Sequence, residues 1–282
     1  MGRYFITGSS DGLGLLTAKK LVAQGHSVVL HARNAQRAKD ASAALPGAEA
    51  VLTADLSSID ETKSLASQAD RLGPYDAVVH NAGVYTDPGR APGSGFSTLF
   101  TVNVLAPWIL TCSMAAPKRL VYVSSCLHRS GSIETVTRDI AKSNYGDSKL
   151  VMVMLAKAVA NREWQRGGTD PSELSESTRR RAATTRVEAY SVDPGWVPTK
   201  MGGPSASGDL EAGVDSFVKL ALGPRRRAGV VGRGEEGPGQ WAAGGYFFGG
   251  EEEAPKQGAE DRGSQRAVLD QLKELTGLGL PG

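Results

Sequence analysis

From residue 3 to about residue 200, short apolar runs rich in β-forming residues alternate with longer helix-like stretches, and few architectures accept that order. The runs are RYFITG (3–8), SVVLHA (27–32), AEAVLTADL (48–56), YDAVVHNAG (75–83), RLVYVSS (119–125) and RVEAYSVDPG (186–195). Between them lie the stretches 12–24, 34–45, 58–72, 96–116 and 143–163. Repeated strand–helix order predicts a parallel sheet with helices on both faces, because each parallel connection must cross over the sheet. Several runs are apolar almost throughout, as strands buried on both faces should be. GGYFFGG (244–250) adds a last strand, for about seven in all, and SQRAVLDQLKELTGLG (264–279) predicts a closing amphipathic helix ending at Gly277. A doubly wound sheet binds ligands beyond the carboxyl ends of its strands, so the informative residues should follow each run.

At 282 residues, 40% hydrophobic and 22% charged, the chain suits a single α/β domain over 1–282. A formal net charge of +2 gives no electrostatic case for nucleic acid or an anionic membrane as partner. No run approaches the roughly eighteen apolar residues of a membrane span, and MGRYFITG lacks the pattern of a secretory signal. No membrane association and a cytoplasmic location are therefore expected. Cys112 and Cys126 make neither a metal spacing nor a disulfide framework, and the four histidines are scattered, so no metal is expected. Cys126 reads as a small packing residue. Two segments are irregular: a polar insert at 162–185, containing Arg179 to Arg181, and a Gly/Arg-rich loop at 223–243, containing Arg225 to Arg227. Both read as solvated loops.

After the first strand comes TGSSDGLG, with Gly8, Gly12 and Gly14. Glycines there permit a tight turn and bring backbone N–H groups to a pyrophosphate at the N-terminus of the next helix. The spacing G-x-x-x-G-x-G differs from the more familiar dinucleotide fingerprint. Further on, NYGDSKL sets Tyr145 and Lys149 four residues apart on one helix face. That pair alone fits an ordinary helix as well as it fits an active site.

Thr7 with Gly8, Gly12 and Gly14, NAG at 81–83, Asn103 in TVNVLAP, Ser125 in VSS, Tyr145 and Lys149 in YGDSK, and DPGWVPT at 193–199 occur in the order of a known family. By these motifs the chain resembles the short-chain dehydrogenase/reductases, of the retinol dehydrogenase-like type, over roughly residues 3 to 201. The resemblance implies a Rossmann-type fold and an NAD(P)-dependent oxidoreductase acting on a CH–OH group. It implies cofactor contacts from the glycine turn (Thr7, Gly8, Ser10, Asp11, Gly12, Leu13, Gly14), from Asp55 and Leu56 at the adenine ring, and from Asn81, Ala82 and Gly83. Pro194, Gly195, Val197 and Thr199 would complete the cofactor site, with Tyr145 and Lys149 reaching the nicotinamide ribose. The second strand ends in Arg33, with Arg37 one turn later, where an acidic residue would select NAD; an arginine there pairs with a 2′-phosphate, so NADP is expected. Asp11 sits where many NADP-using relatives carry a basic residue.

In the family's arrangement Tyr145 exchanges the proton with the substrate oxygen and Ser125 hydrogen-bonds that oxygen, with Ser124 as the alternative serine. Lys149 lowers the tyrosine pKa, and Asn103 holds a water linking Lys149 to solvent. Tyr85, Leu127, His128, Trp196 and Met201, with Val197, are candidates for the substrate wall, which suits a hydrophobic ketone, aldehyde or secondary alcohol. The resemblance also implies a substrate lid within 202–243 and a homo-oligomer, dimer or tetramer. The alternatives are a regulatory protein that binds NADP without turnover and an epimerase or dehydratase of the family's extended branch. The intact Ser125, Tyr145, Lys149 and Asn103 set disfavours the first; the lack of a clear C-terminal substrate domain disfavours the second.

Overall fold

A computed structural model describes residues 1–161, 163–164, 185–224 and 241–281. Seven parallel strands, β1 (Arg3–Ile6), β2 (Ser27–Ala32), β3 (Ala50–Thr53), β4 (Ala77–His80), β5 (Arg119–Val123), β8 (Glu188–Asp193) and β9 (Tyr246–Phe248), share one sheet with an antiparallel edge strand, β10 (Glu251–Glu253). A separate two-stranded antiparallel pair is formed by β6 (Glu163–Trp164) and β7 (Thr185–Arg186). The order across the main sheet is β10-β9-β8-β5-β4-β1-β2-β3. The chain therefore builds outward from β1 to β3, then returns to β4 on the other side of β1. That reversal opens a crevice at the carboxyl ends of β1 and β4.

Successive strand residues bury on opposite faces. Phe5, Val78, Leu120 and Tyr122 join one core with α3 (Ile59–Asp70), α5 (Ala106–Ser113), α7 (Tyr145–Ala160) and α9 (Arg262–Thr276). Tyr4, Ile6, Val79, Val121 and Val123 join the other with α1 (Gly12–Ala23), α2 (Ala35–Ala44) and α8 (Leu210–Leu222). Strands apolar on both faces are what the sequence pattern required. Helix α7 begins where its capping box dictates: the Asn144 side chain accepts from Asp147 N and the Asp147 carboxylate from Asn144 N, each at 3.0 Å.

Three expectations change. The stretch read as one helix over 96–116 consists of α4 (Thr98–Phe100), a π-helical segment Thr101–Leu105, and α5. Pro107 offers no N–H to the carbonyl four residues earlier, that of Asn103, which fits a widened turn at that point. The strand read at 244–250 is shorter, and Glu251–Glu253 pairs back on it as a charged edge strand that β-propensity does not predict. Residues 210–222, read as part of a mobile lid, form α8, whose Val214, Phe217 and Leu220 are buried and which packs against α1. Most of the 162–185 insert and residues 225–240 of the Gly/Arg-rich loop, with both arginine triplets, lie outside the described residues.

Helix α7 crosses the core, and Leu155 on it is fully buried. Leu155→Ala should lower stability by about 2–5 kcal/mol, seen as a lower urea midpoint with an unchanged slope.

Candidate active site

The crevice is a single cavity of about 1010 Å³ running from the glycine turn to Tyr145 and the loop after β8. Its floor is fixed by β1 and β4. The Thr7 hydroxyl accepts from Asn81 N (3.0 Å) and Ala82 N (3.1 Å), and the Asn81 amide donates to Thr7 O (2.8 Å) and Gly8 O (2.9 Å). Gly8 has φ +61°, and a Cβ there would stand 2.8 Å from Ala82 Cα; one on Gly14 would stand 2.6 Å from Asn81 Nδ2 and 2.8 Å from Gly8 O. Thr7 and Gly14 thus shape the turn from beneath, while Gly8, Ser10, Asp11, Gly12 and Leu13 line the cavity.

His31 is a cavity residue that motif reading missed. Its Nδ1 accepts from Gly8 N at 2.9 Å, so Nε2 carries the proton and donates to Ala54 O at 3.0 Å. Burial pushes its pKa down and keeps the ring neutral, against the opposing pull of Asp55. The one signal for it in sequence is its position near the end of β2, two residues before Arg33.

At the outer end the charges are exposed and loosely paired. Arg33 Nε lies 3.6 Å from Asp55 Oδ2, and the Arg33 side chain is 73% exposed. Asp11, the residue before α1, makes no cap hydrogen bond to that helix. Its carboxylate accepts from Arg37 Nη1 (3.0 Å) and Lys200 Nζ (2.9 Å), which hold its pKa down despite partial burial. The α1 N–H groups that a side-chain cap would occupy are left toward the cavity, an arrangement suited to an anion. Leu56 lines the same end, as do Asn81, Ala82 and Gly83 further in.

At the inner end Lys149 and Asp193 are buried and Ser125 and Tyr145 are half-buried. Tyr145 opens α7 and Ser125 follows β5, which brings the Ser125 hydroxyl beside the Tyr145 phenol. Lys149 is one turn along α7; its Nζ donates to Val123 O at 3.1 Å and lies 5.3 Å from the Tyr145 ring centroid. Burial pushes Tyr145 up to about 12, with the neighbouring Ser125 hydroxyl acting against it, and pushes Lys149 down to about 8, with Asp193 acting against it. Burial thus sets the Tyr145 pKa above its ordinary value. Asp193 is 2% exposed and accepts from Gly195 N at 2.8 Å.

Asn103 does not reach the cavity wall. Its Oδ1 accepts from Val84 N (2.8 Å), and its amide donates to Val84 O (2.9 Å) and Ser148 Oγ (3.1 Å). It ties the loop after β4 to α7. Ser124 donates to Lys149 O at 2.8 Å. Pro194, Gly195, Val197 and Thr199 line the cavity where β8 ends, and exposed Tyr85, Leu127, Trp196 and Met201 surround its mouth. The Tyr85 ring packs edge-on against Tyr145 at 4.7 Å. Two expectations fail at the mouth. His128 is fully buried and off the wall, because both its ring nitrogens bond to main chain, and Cys126 is exposed in the cavity instead of packed. Among the described residues no cluster of three potential metal ligands occurs, and no helix is long and apolar enough to cross a membrane.

The sequence profile of the family described as short chain dehydrogenase matches residues 3–168. The chain belongs to the short-chain dehydrogenase family. An uncharacterized oxidoreductase of Emericella nidulans is 43% identical to this short-chain dehydrogenase over 287 residues, covering the whole of both chains. The fold is that of an uncharacterized protein from Mycobacterium paratuberculosis (TM-score 0.70, 20% identity, 100% of this chain and 96% of that one). It is also that of a short-chain dehydrogenase from Sphingobium yanoikuyae in complex with NADPH (TM-score 0.53, 19% identity, 77% and 83%).

The depressed Lys149 pKa has a consequence for stability. From about pH 8 to the ordinary lysine value near 10.5, the unfolded dehydrogenase holds a proton on this side chain that the folded one has released. Stability gained from this group therefore rises with pH across that window, and below it the buried charge is a cost. Lys149→Met should stabilise the protein by roughly 1–3 kcal/mol near neutral pH, after allowance for the lost bond to Val123 O, with the gain vanishing as pH approaches 10.5. Urea unfolding at the two pH values checks this.

Proposed function

We propose that this short-chain dehydrogenase is an NADP(H)-dependent oxidoreductase that moves a hydride between the nicotinamide and a hydrophobic ketone, aldehyde or secondary alcohol. The observation that carries the reading is the meeting of Tyr145, Ser125 and Lys149 at the inner end of the cavity whose outer end is the glycine turn. The tight approach of Gly8 and Gly14 to Asn81 and Ala82 and the uncapped start of α1 fit a dinucleotide. Such a cofactor supplies the hydride. The chain's own residues then handle the oxygen it leaves charged.

Tyr145, protonated at neutral pH, is in the state a proton donor requires and gives its phenolic proton to that oxygen. Ser125 donates a hydrogen bond to the same oxygen, which stabilises the developing charge. The Lys149 ammonium, predominantly charged below pH 8, stabilises the phenolate left behind. In the oxidative direction the roles reverse. The side chains at the mouth are neutral and largely apolar, so an uncharged, hydrophobic substrate is favoured over a keto acid or phosphorylated sugar.

For the cofactor, the exposed Arg33 guanidinium with Arg37 beside it supports NADP, in keeping with the NADPH bound to the Sphingobium relative. Tyr145→Phe should lower the rate of NADPH consumption against aliphatic, aromatic and quinone-like carbonyls by about 10²–10⁴-fold. Unchanged turnover would remove Tyr145 from the mechanism, and tight NADPH binding without turnover on any carbonyl would favour a regulatory protein. Arg33→Asp should weaken NADPH binding by about tenfold or more while leaving NADH binding little changed, as read by cofactor fluorescence titration. Equal loss for both cofactors would count against Arg33 as the phosphate-reading residue.

A further inference from the structure

His128 lies three residues after Ser125, in the 3-10 turn Cys126–Ser130, and is completely buried. Both its ring nitrogens are committed. Nδ1 lies 2.7 Å from Ser125 O, a carbonyl that can only accept, so Nδ1 carries the proton and donates. Nε2 lies 3.1 Å from Lys256 N, a group that can only donate, so Nε2 accepts. The His128 backbone N–H also donates to Ser125 O, at 3.0 Å, so one residue clamps the Ser125 carbonyl twice.

The same turn is stitched at further points to the segment that follows β10. Arg129 Nη2 donates to Ala254 O (2.9 Å) and to Glu253 Oε2 (3.1 Å), and Lys256 Nζ donates to Arg129 O (3.0 Å). Pro255, within that segment, restricts its backbone. The His128 ring packs on Tyr246 of β9 at 4.5 Å, and the Arg129 guanidinium stands over the same ring. The C-terminal hairpin thus forms a strap against the turn that carries Ser125.

We propose that His128 is a positioning residue for Ser125, locking its turn onto the strap Glu253–Lys256, so that the C-terminal hairpin sets the placement of the hydroxyl that polarises the carbonyl. The inference rests on the reading of Ser125 as that hydroxyl. Protonating His128 would set an N–H against the Lys256 N–H. Burial and the neighbouring Arg129 and Lys256 oppose that charge, while the Ser125 carbonyl and Asp193 favour it, and the net result is a ring held neutral.

The test compares His128→Phe, His128→Asn and His128→Gln with Ser125→Ala and the Ser125→Ala/His128→Phe double variant. It measures kcat and KM on the best carbonyl of the panel, NADPH Kd by fluorescence, and melting temperature. His128→Phe should lower kcat by about tenfold or more with NADPH Kd changed less than about twofold. His128→Asn, which keeps the bond to Ser125 O but not the one from Lys256 N, and His128→Gln, which keeps the reverse, should each recover little of that kcat, because the lock needs both bonds. The double variant should be no slower than Ser125→Ala, because His128 acts through Ser125. An unchanged kcat in His128→Phe, or a His128 effect that persists in full without Ser125, overturns the proposal. If His128→Phe does not fold, a wild-type kcat in either the Asn or the Gln variant overturns it. If Ser125→Ala itself leaves kcat intact, the reading of Ser125 fails instead. Without turnover on any carbonyl, hydrogen exchange decides: in His128→Asn, amides of 254–257 and of 125–131 should both exchange faster, and unchanged protection of 125–131 refutes the lock.

Discussion

Asn81 donates two hydrogen bonds to Thr7 across the carboxyl ends of β1 and β4, at the point where the strand order reverses. The approach is so close that a Cβ on Gly8 or Gly14 would meet the opposing main chain or the Asn81 amide. With the Gly8 peptide held by His31 on its N–H and by Asn81 on its carbonyl, the turn has little freedom left. Its rigidity leaves the start of α1 facing a cavity with N–H groups that no side chain caps. The polar features of the crevice depend on this knot, since loosening it would move the turn, the helix terminus and the loop after β4 together.

Along the same cavity, charge is managed in two ways. At the outer end Arg33, Arg37, Asp11, Asp55 and Lys200 sit near water in loose pairs, each worth little to stability and easily re-partnered by an incoming anion. At the inner end Lys149 and Asp193 are almost wholly buried, and burial moves the lysine far from its ordinary titration range. Water exclusion makes each charge at that end act strongly on its neighbours, at a cost to the fold. The inner arrangement is the one expected where protons are moved and the outer one where a charged ligand is held.

Much of this was legible in sequence because it follows from local pattern. Apolar strands alternating with helices specified a parallel sheet, and glycine spacing marked the turn before α1. What escaped were features created by distant residues. No periodicity marks the π-helical segment at Thr101–Leu105, because the shift in register changes its hydrogen bonding and not its apolar pattern. Glu251–Glu253 becomes a strand because β9 offers it an edge, against its own propensity. His128 looked like a pocket residue because it is adjacent in sequence to one, yet Lys256, over a hundred residues away, draws its ring out of the cavity.

The sequence by itself determined the sheet, its two apolar faces and the residues that gather at the strand ends, since side-chain period and glycine placement act through neighbours in the chain. Tertiary structure decided the electrostatic state of those residues. The Tyr145–Lys149 spacing brings a cation near a phenol, but whether that cation or desolvation governs the phenol depends on how much of the chain closes over both. Here Lys149 is 5% exposed, and burial governs.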